Sequence, residues 1–145
     1  MRICVVGAGY VGLATAVMFG KLGHEVVCAD VDEKRVRLVG AGKLPFHEPG
    51  LEKELSKLVR KKALRATMDL KKAVIDSRFV FICVQTPSLR SGRIDVGPVK
   101  TACTTVGKAL AKSDEFKVVV MKSTVVPSTT DSIVKPILEK SSRKK

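Results

Sequence analysis

Short runs of β-branched and other apolar residues alternate along the chain with longer stretches in which apolar positions recur every three to four residues. The runs at 2–6, 25–29, 78–84 and 117–121 are nearly continuous in Val, Ile, Phe and Cys, the pattern of strands buried on both faces of a parallel sheet. A weaker strand is expected at 64–66. Between the first two runs, Val11, Ala14, Met18 and Leu22 return at helical spacing, and Gly23 follows where a helix C-terminus favours a left-handed residue. The chain therefore begins as strand, glycine-rich turn, helix, strand.

A second helix is predicted over 33–39, stopping near Gly40-Ala41-Gly42. Pro45 and Pro49 then forbid a continuous helix and imply a shaped loop that enters another helix from Leu51. Asp69 is placed to cap a short helix before the 78–84 strand, and crossover helices are expected over 98–111, with Pro98 in the first turn, and over 128–138. Strands alternating with helices predict an α/β architecture, a parallel sheet in three αβα layers. Neither an internal repeat nor a low-complexity linker interrupts it, so one domain is expected over 1–139, followed by a frayed basic tail at 140–145.

Composition narrows the classes. A chain of 145 residues suffices for one compact domain, and 27 Lys+Arg against 14 Asp+Glu give a net charge of +13. Such a field concentrates anions of any kind without choosing among them. No membrane span is expected, because Lys21, His24 and Glu25 interrupt the most hydrophobic region well short of the roughly 20 residues required. The first residues run into Gly7-Ala8-Gly9 without a signal-peptide cleavage site, which points to the cytoplasm. Cys4, Cys28 and Cys83 lie in apolar runs and no C-x-x-C pair occurs, so neither metal nor disulfide is expected. Lys57, Arg60, Lys61, Lys62 and Arg65 form a basic cluster that reads as a solvated helix face. With one tyrosine and no tryptophan to stack bases, no nucleic-acid partner is expected.

Candidate chemistry starts at Gly7-Ala8-Gly9-Tyr10-Val11-Gly12, a G-x-G-x-x-G set between a buried strand and an amphipathic helix. Gly7 permits the tight turn, Gly9 lets backbone approach a pyrophosphate, and Gly12 allows helix to pack on strand. The helix N-terminus presents unpaired N–H groups to the phosphates. Asp30 stands 23 residues after Gly7 at the end of the second strand, the place of a carboxylate that accepts hydrogen bonds from an adenosine ribose. The plainer alternative is a helix cap, which Asp32 could supply equally well. A carboxylate there would repel a 2′-phosphate, favouring NAD over NADP, although Arg35 one turn later could accommodate one. Together these features specify a Rossmann-like, doubly wound sheet. Such sheets bind ligands past the carboxyl ends of their strands, where Gln85-Thr86-Pro87 and Lys122-Ser123-Thr124 also fall; ordinary turn chemistry would account for these residues equally well.

Taken with Phe46-His47-Glu48-Pro49-Gly50-Leu51 and Val125-Val126-Pro127, these segments occur in the order and spacing of the UDP-glucose/GDP-mannose dehydrogenase family, which the chain resembles over nearly its whole length. The resemblance implies oxidation of the C6 alcohol of a UDP- or GDP-linked sugar to a carboxylate with NAD. It implies that Gly7, Gly9, Tyr10, Val11 and Gly12 line the pyrophosphate, that Asp30 and Arg35 hold the adenosine ribose, and that Thr86 contacts the cofactor. Thr124 would contact the cofactor near the reacting centre, positioning a water or the substrate oxygen. Gln85 departs from the family's glycine or small residue, and Val126 and Ser128 stand where a second proline or glycine is common.

The family's catalytic cysteine, with its lysine, asparagine and aspartate, falls after the matched region, as do the sugar-nucleotide domain and the central helix around which family homodimers form. The resemblance therefore implies a sheet that stops before its last strand, in a chain that binds NAD without turnover. A stand-alone dinucleotide-binding regulatory module is the alternative reading, since it needs only the glycine turn and Asp30.

Overall fold

The computed structural model describes residues 1–144. Along the chain run β1 (Arg2–Val6), α1 (Tyr10–Lys21), β2 (Glu25–Ala29), α2 (Glu33–Gly40), α3 (Leu51–Arg60), β3 (Leu64–Thr67), α4 (Leu70–Ile75), β4 (Phe79–Ile82), α5 (Gly97–Leu110), β5 (Val118–Met121), a π-helical turn (Thr130–Val134) and α6 (Lys135–Ser142). The five strands form one parallel sheet in the order β3-β2-β1-β4-β5. This is a Rossmann-like doubly wound sheet. Its order reverses between β1 and β4, so the connections leaving their carboxyl ends diverge and open a crevice between them.

Strand alternation divides the core in two. Ile3, Val5, Val26 and Cys28 pack on one side against Leu13 and Val17 of α1 and Leu55 and Leu58 of α3. On the other side, Cys4, Val6, Val80 and Ile82 pack against Val74 of α4 and Val99, Cys103 and Val106 of α5. Gly20 lets α1 lie close on α3: a Cβ there would come 2.8 Å from Leu58 Cδ1. The basic cluster at the end of α3 is partly neutralised, Lys57 pairing with Glu54 at 2.9 Å and Arg65 lying 3.8 Å from Asp76. No helix among the described residues is long and apolar enough to cross a membrane.

Three expectations need correction. The β5 strand, read from its apolar run as buried on both faces, is half-buried at all four positions because it is the edge of the sheet, paired only with β4. The last helix does not begin at Ser128, which has φ +68°; it opens with the π-helical turn and extends to Ser142. Pro136 accounts for the wide turn, since its ring has no N–H to offer the Ser132 carbonyl one turn back and would collide with it in a regular α-helix. Finally, residues 140–142 belong to α6 rather than to a frayed tail. Ser142 is buried, and Ser141 and Ser142 pack against Gly107 of α5, where a Cβ would approach Ser141 Cβ to 2.6 Å.

Lys117 ties the sheet to α4. Its side chain is 1% exposed, and its ammonium donates to the carbonyls of Ile75 at 2.7 Å and Ser77 at 2.8 Å, at and just beyond the helix end. Removing the ammonium leaves both acceptors without their charged partner, so Lys117→Met should lower the unfolding free energy by about 2 kcal/mol. Urea unfolding would show this as a lower midpoint at unchanged slope; an unchanged midpoint would show that these carbonyls do not depend on Lys117.

Candidate dinucleotide-binding site

The chain leaves β1 into a turn whose shape only glycine permits. Gly7 has φ +107°, and a Cβ there would lie 2.7 Å from the Cys83 carbonyl oxygen. At Gly12, one turn into α1, a Cβ would come 1.9 Å from the Gly7 carbonyl oxygen. Gly9 differs, for a Cβ there would have nothing within 4 Å. It precedes α1 in extended conformation, and no side chain caps the helix, so the first-turn N–H groups stay available to an anion beside an open approach.

Asp30, just past β2, closes over this turn. Its Oδ2 accepts the Ala8 N–H at 2.6 Å, its Oδ1 accepts the Asp32 N–H at 2.9 Å, and the side chain is only 7% exposed. Asp32 is the helix cap, accepting from the backbone N–H groups of Lys34 and Arg35 at 2.9 and 3.3 Å. The cap of α2 therefore comes from Asp32 and not from Asp30. Arg35 brings Nη1 to 3.8 Å from Asp30 Oδ2 and Nε to 3.5 Å from Asp32 Oδ2, a position set by the first turn of α2.

Beyond these residues lies a cavity of about 1010 Å³ at the carboxyl ends of the strands. Gly7, Gly9, Tyr10, Val11, Asp30 and Arg35 line one end, and Thr86 and Thr124 come in from β4 and β5. Gly12 is not on the wall; it sits behind the turn. Such a volume, a concave turn with room only where Gly9 lacks a side chain, and a carboxylate beside it fit a dinucleotide. Among the described residues, no group of three or more His, Cys, Asp or Glu side chains is placed to hold a metal.

Several wall residues escaped the sequence reading. Met68 comes from the β3–α4 turn, Leu70 and Lys71 from the start of α4, and Pro98, Thr101 and Thr105 from α5. Apolar residues at a helix start look like packing, and only the sheet order shows that the turn after β3 opens onto the same crevice. The β4–α5 connection is likewise more structured than Gln85-Thr86-Pro87 alone suggests. Ser88 and Ile94 form an antiparallel bridge, closed where the Leu89 N–H donates to Arg93 O at 2.7 Å. Tyr10 stacks on Phe46 with ring centroids 3.9 Å apart, fastening the start of α1 to the proline-containing loop before α3.

All four cysteines are buried thiols. Burial pushes Cys4 up to about 12 and both Cys83 and Cys103 up to about 11, and it raises Cys28 further still. Of these, only Cys83 reaches the cavity wall. None is a thiolate at neutral pH.

Comparison with known proteins bears directly on this geometry. Residues 1–145 match the model of the UDP-glucose/GDP-mannose dehydrogenase family, NAD binding domain. GDP-mannose 6-dehydrogenase of Pseudomonas aeruginosa is 43% identical over 145 residues, which is 100% of this chain and 33% of the relative. UDP-glucose 6-dehydrogenase AglM of Haloferax volcanii is also 43% identical, over the same shares of each chain, 100% and 33%. The crystal structure of a ternary complex of the Pseudomonas aeruginosa GDP-mannose dehydrogenase superposes with a TM-score of 0.98 over 100% of this chain and 33% of that one, at 43% identity. The structure of a UDP-glucose dehydrogenase from the hyperthermophilic archaeon Pyrobaculum islandicum gives a TM-score of 0.93 at 35% identity, over 99% of this chain and 34% of that one. The chain thus spans about a third of the length of the curated relatives it matches. With a glycine turn, a carboxylate and a cavity arranged for a dinucleotide, and with the family's cofactor-domain model matched from end to end, the chain belongs to the UDP-glucose/GDP-mannose dehydrogenase family, as its NAD-binding domain.

Proposed function

We propose that this chain binds NAD in the crevice and serves as the cofactor module of a nucleotide-sugar dehydrogenase that oxidises the C6 alcohol of a UDP- or GDP-linked sugar to a carboxylate. The observation that carries the reading is the contrast among the three glycines: Gly7 and Gly12 are filled from behind by backbone, while only Gly9 faces open space. Gly23, Gly40 and Gly92 are equally open, but the opening at Gly9 lies on the cavity wall beside Asp30 and the first turn of α1.

In this reading the N–H groups of Tyr10 and Val11, in the first turn of α1, receive the pyrophosphate, with Gly12 packed behind them. Asp30 accepts the adenosine ribose hydroxyls with the lone pairs its two backbone bonds leave free, and Arg35 lies along the ribose edge. Thr86 and Thr124 meet the nicotinamide half, and Thr124 also orients a water or the substrate oxygen. NAD, when bound, supplies the hydride acceptor. Passing through an aldehyde to an acid also requires a thiolate to hold the intermediate. The raised thiols of this chain cannot fill that role, so the chain binds cofactor without turnover. Sugar recognition and homodimer formation belong to the longer enzyme. Four reduced thiols suit the cytoplasm as its compartment. A purely regulatory dinucleotide module would use the same cavity, but the dehydrogenase match over the whole chain favours the enzyme.

Isothermal titration should give saturable NAD binding, with NADP weaker by at least about tenfold because its 2′-phosphate meets Asp30. Equal affinity for the two would overturn the assignment of Asp30. The glycines should separate binding from folding. Gly9→Ala should fold with stability within about 1 kcal/mol of the parent, yet bind NAD at least about tenfold more weakly. Gly12→Ala, with its methyl driven into the Gly7 carbonyl, should lose about 3 kcal/mol of stability by thermal or urea unfolding. Near neutral pH a thiol-specific disulfide reagent should react slowly with the native chain and with all four cysteines after unfolding. The native chain should form neither NADH nor a sugar acid from NAD and a nucleotide sugar; detectable NADH would refute the reading of cofactor binding without turnover, and detectable sugar acid the claim that it lacks a nucleophile.

A further inference from the structure

We propose that Ser123 is a positioning residue that sets the spacing between the loops carrying Thr86 and Thr124, and with it the fit of the nicotinamide half of the cofactor; the proposal rests on the NAD reading above. The ladder between β4 and β5 ends at the pair Ile82–Met121. Past that pair the backbone N–H groups of Lys122 and Ser123 both converge on the Ile82 carbonyl, at 2.9 and 3.0 Å. The Ser123 hydroxyl carries the connection two residues further, donating to the Val84 carbonyl at 2.6 Å, with the Ile82 oxygen at 3.4 Å. Thr86 stands two residues beyond Val84, and Thr124 follows Ser123 directly, so this one hydroxyl joins the last fixed points of both loops.

Val84 is also braced from the opposite side. A Cβ on Gly7 would lie 3.2 Å from Val84 Cα, so the glycine turn runs close beside the strand end that Ser123 holds. Without the hydroxyl, the Gly7 side of the cavity keeps its geometry while the Thr124 side is free to move away from Thr86. The adenosine and pyrophosphate contacts do not depend on this link, because they come from α1 and from the end of β2. A loss confined to one half of the ligand is therefore the signature of this residue, and a general weakening of the fold would not produce it.

The test compares NAD with ADP-ribose, which lacks the nicotinamide, by titration calorimetry on the 145-residue chain. Ser123→Ala should bind NAD about tenfold more weakly, with ADP-ribose affinity unchanged and the thermal midpoint lower by only about 4 °C, the share of one lost hydrogen bond. Ser123→Thr, which keeps the hydroxyl, should restore NAD binding. Ser123→Cys, close to serine in shape but a weak donor, should repeat the selective loss even if the alanine variant folds poorly. Equal losses for both ligands, or no loss for NAD in either the alanine or the cysteine variant, would overturn the proposal and leave the cofactor reading standing. Failure of the unaltered chain to bind either ligand would overturn both.

Discussion

The structure turns on the close approach of backbone to backbone at the end of β1. Gly12 brings α1 against the Gly7 carbonyl, and Gly7 in turn rests on the Cys83 carbonyl at the end of β4. Three elements therefore meet with no side chain between them. That contact aims the N-terminus of α1 across the crevice, and it also places the two strands that flank the reversal of sheet order in direct register. A side chain at either glycine would push the helix off the sheet and turn its free N–H groups away from the ligand.

Asp30 extends this constraint from β1 to β2. Its carboxylate holds the Ala8 N–H on one side and the start of the α2 turn on the other, while its own N–H donates to the Thr67 carbonyl at the end of β3. One residue thus links the glycine turn to the start of α2 and to the neighbouring strand. A role in shaping the turn and the proposed role in accepting ribose hydroxyls are compatible, because each carboxylate oxygen has a second lone pair. Nearly complete burial of the side chain keeps it in place for both.

The family's reaction divides between parts with different physical demands. Holding a dinucleotide requires a concave backbone, a helix terminus and a fixed carboxylate, all of which the described residues contain. Trapping an aldehyde requires a partly exposed thiol near a cation or base that can lower its pKa. Burial does the reverse here: the sulfur atoms sit in two apolar cores where deprotonation is disfavoured, and even Cys83, beside the cavity, is raised to about 11. These cysteines act as small core residues.

Much of this was legible along the chain. The runs of Val, Ile, Phe and Cys marked four strands to within two residues, the weaker strand expected at 64–66 stopped one residue short of β3, and G-x-G-x-x-G with Asp30 pointed to the crevice, since glycine and aspartate at that spacing answer to local backbone geometry. The apolar run of β5 could not say that it is an edge, because edge or centre depends on which strand lies alongside. Basic and polar letters at 140–142 concealed a helix that owes its order to packing on Gly107. Met68, Lys71 and Thr105 gave no sign of facing the same cavity as Gly9, and Ser123 none of reaching Val84. The sequence by itself determined the elements, the glycine turn and the carboxylate. Which distant residues complete the wall, and how the two threonine loops are spaced, was decided only when the order β3-β2-β1-β4-β5 brought the strand ends together, because such contacts exist between segments that no local spacing relates.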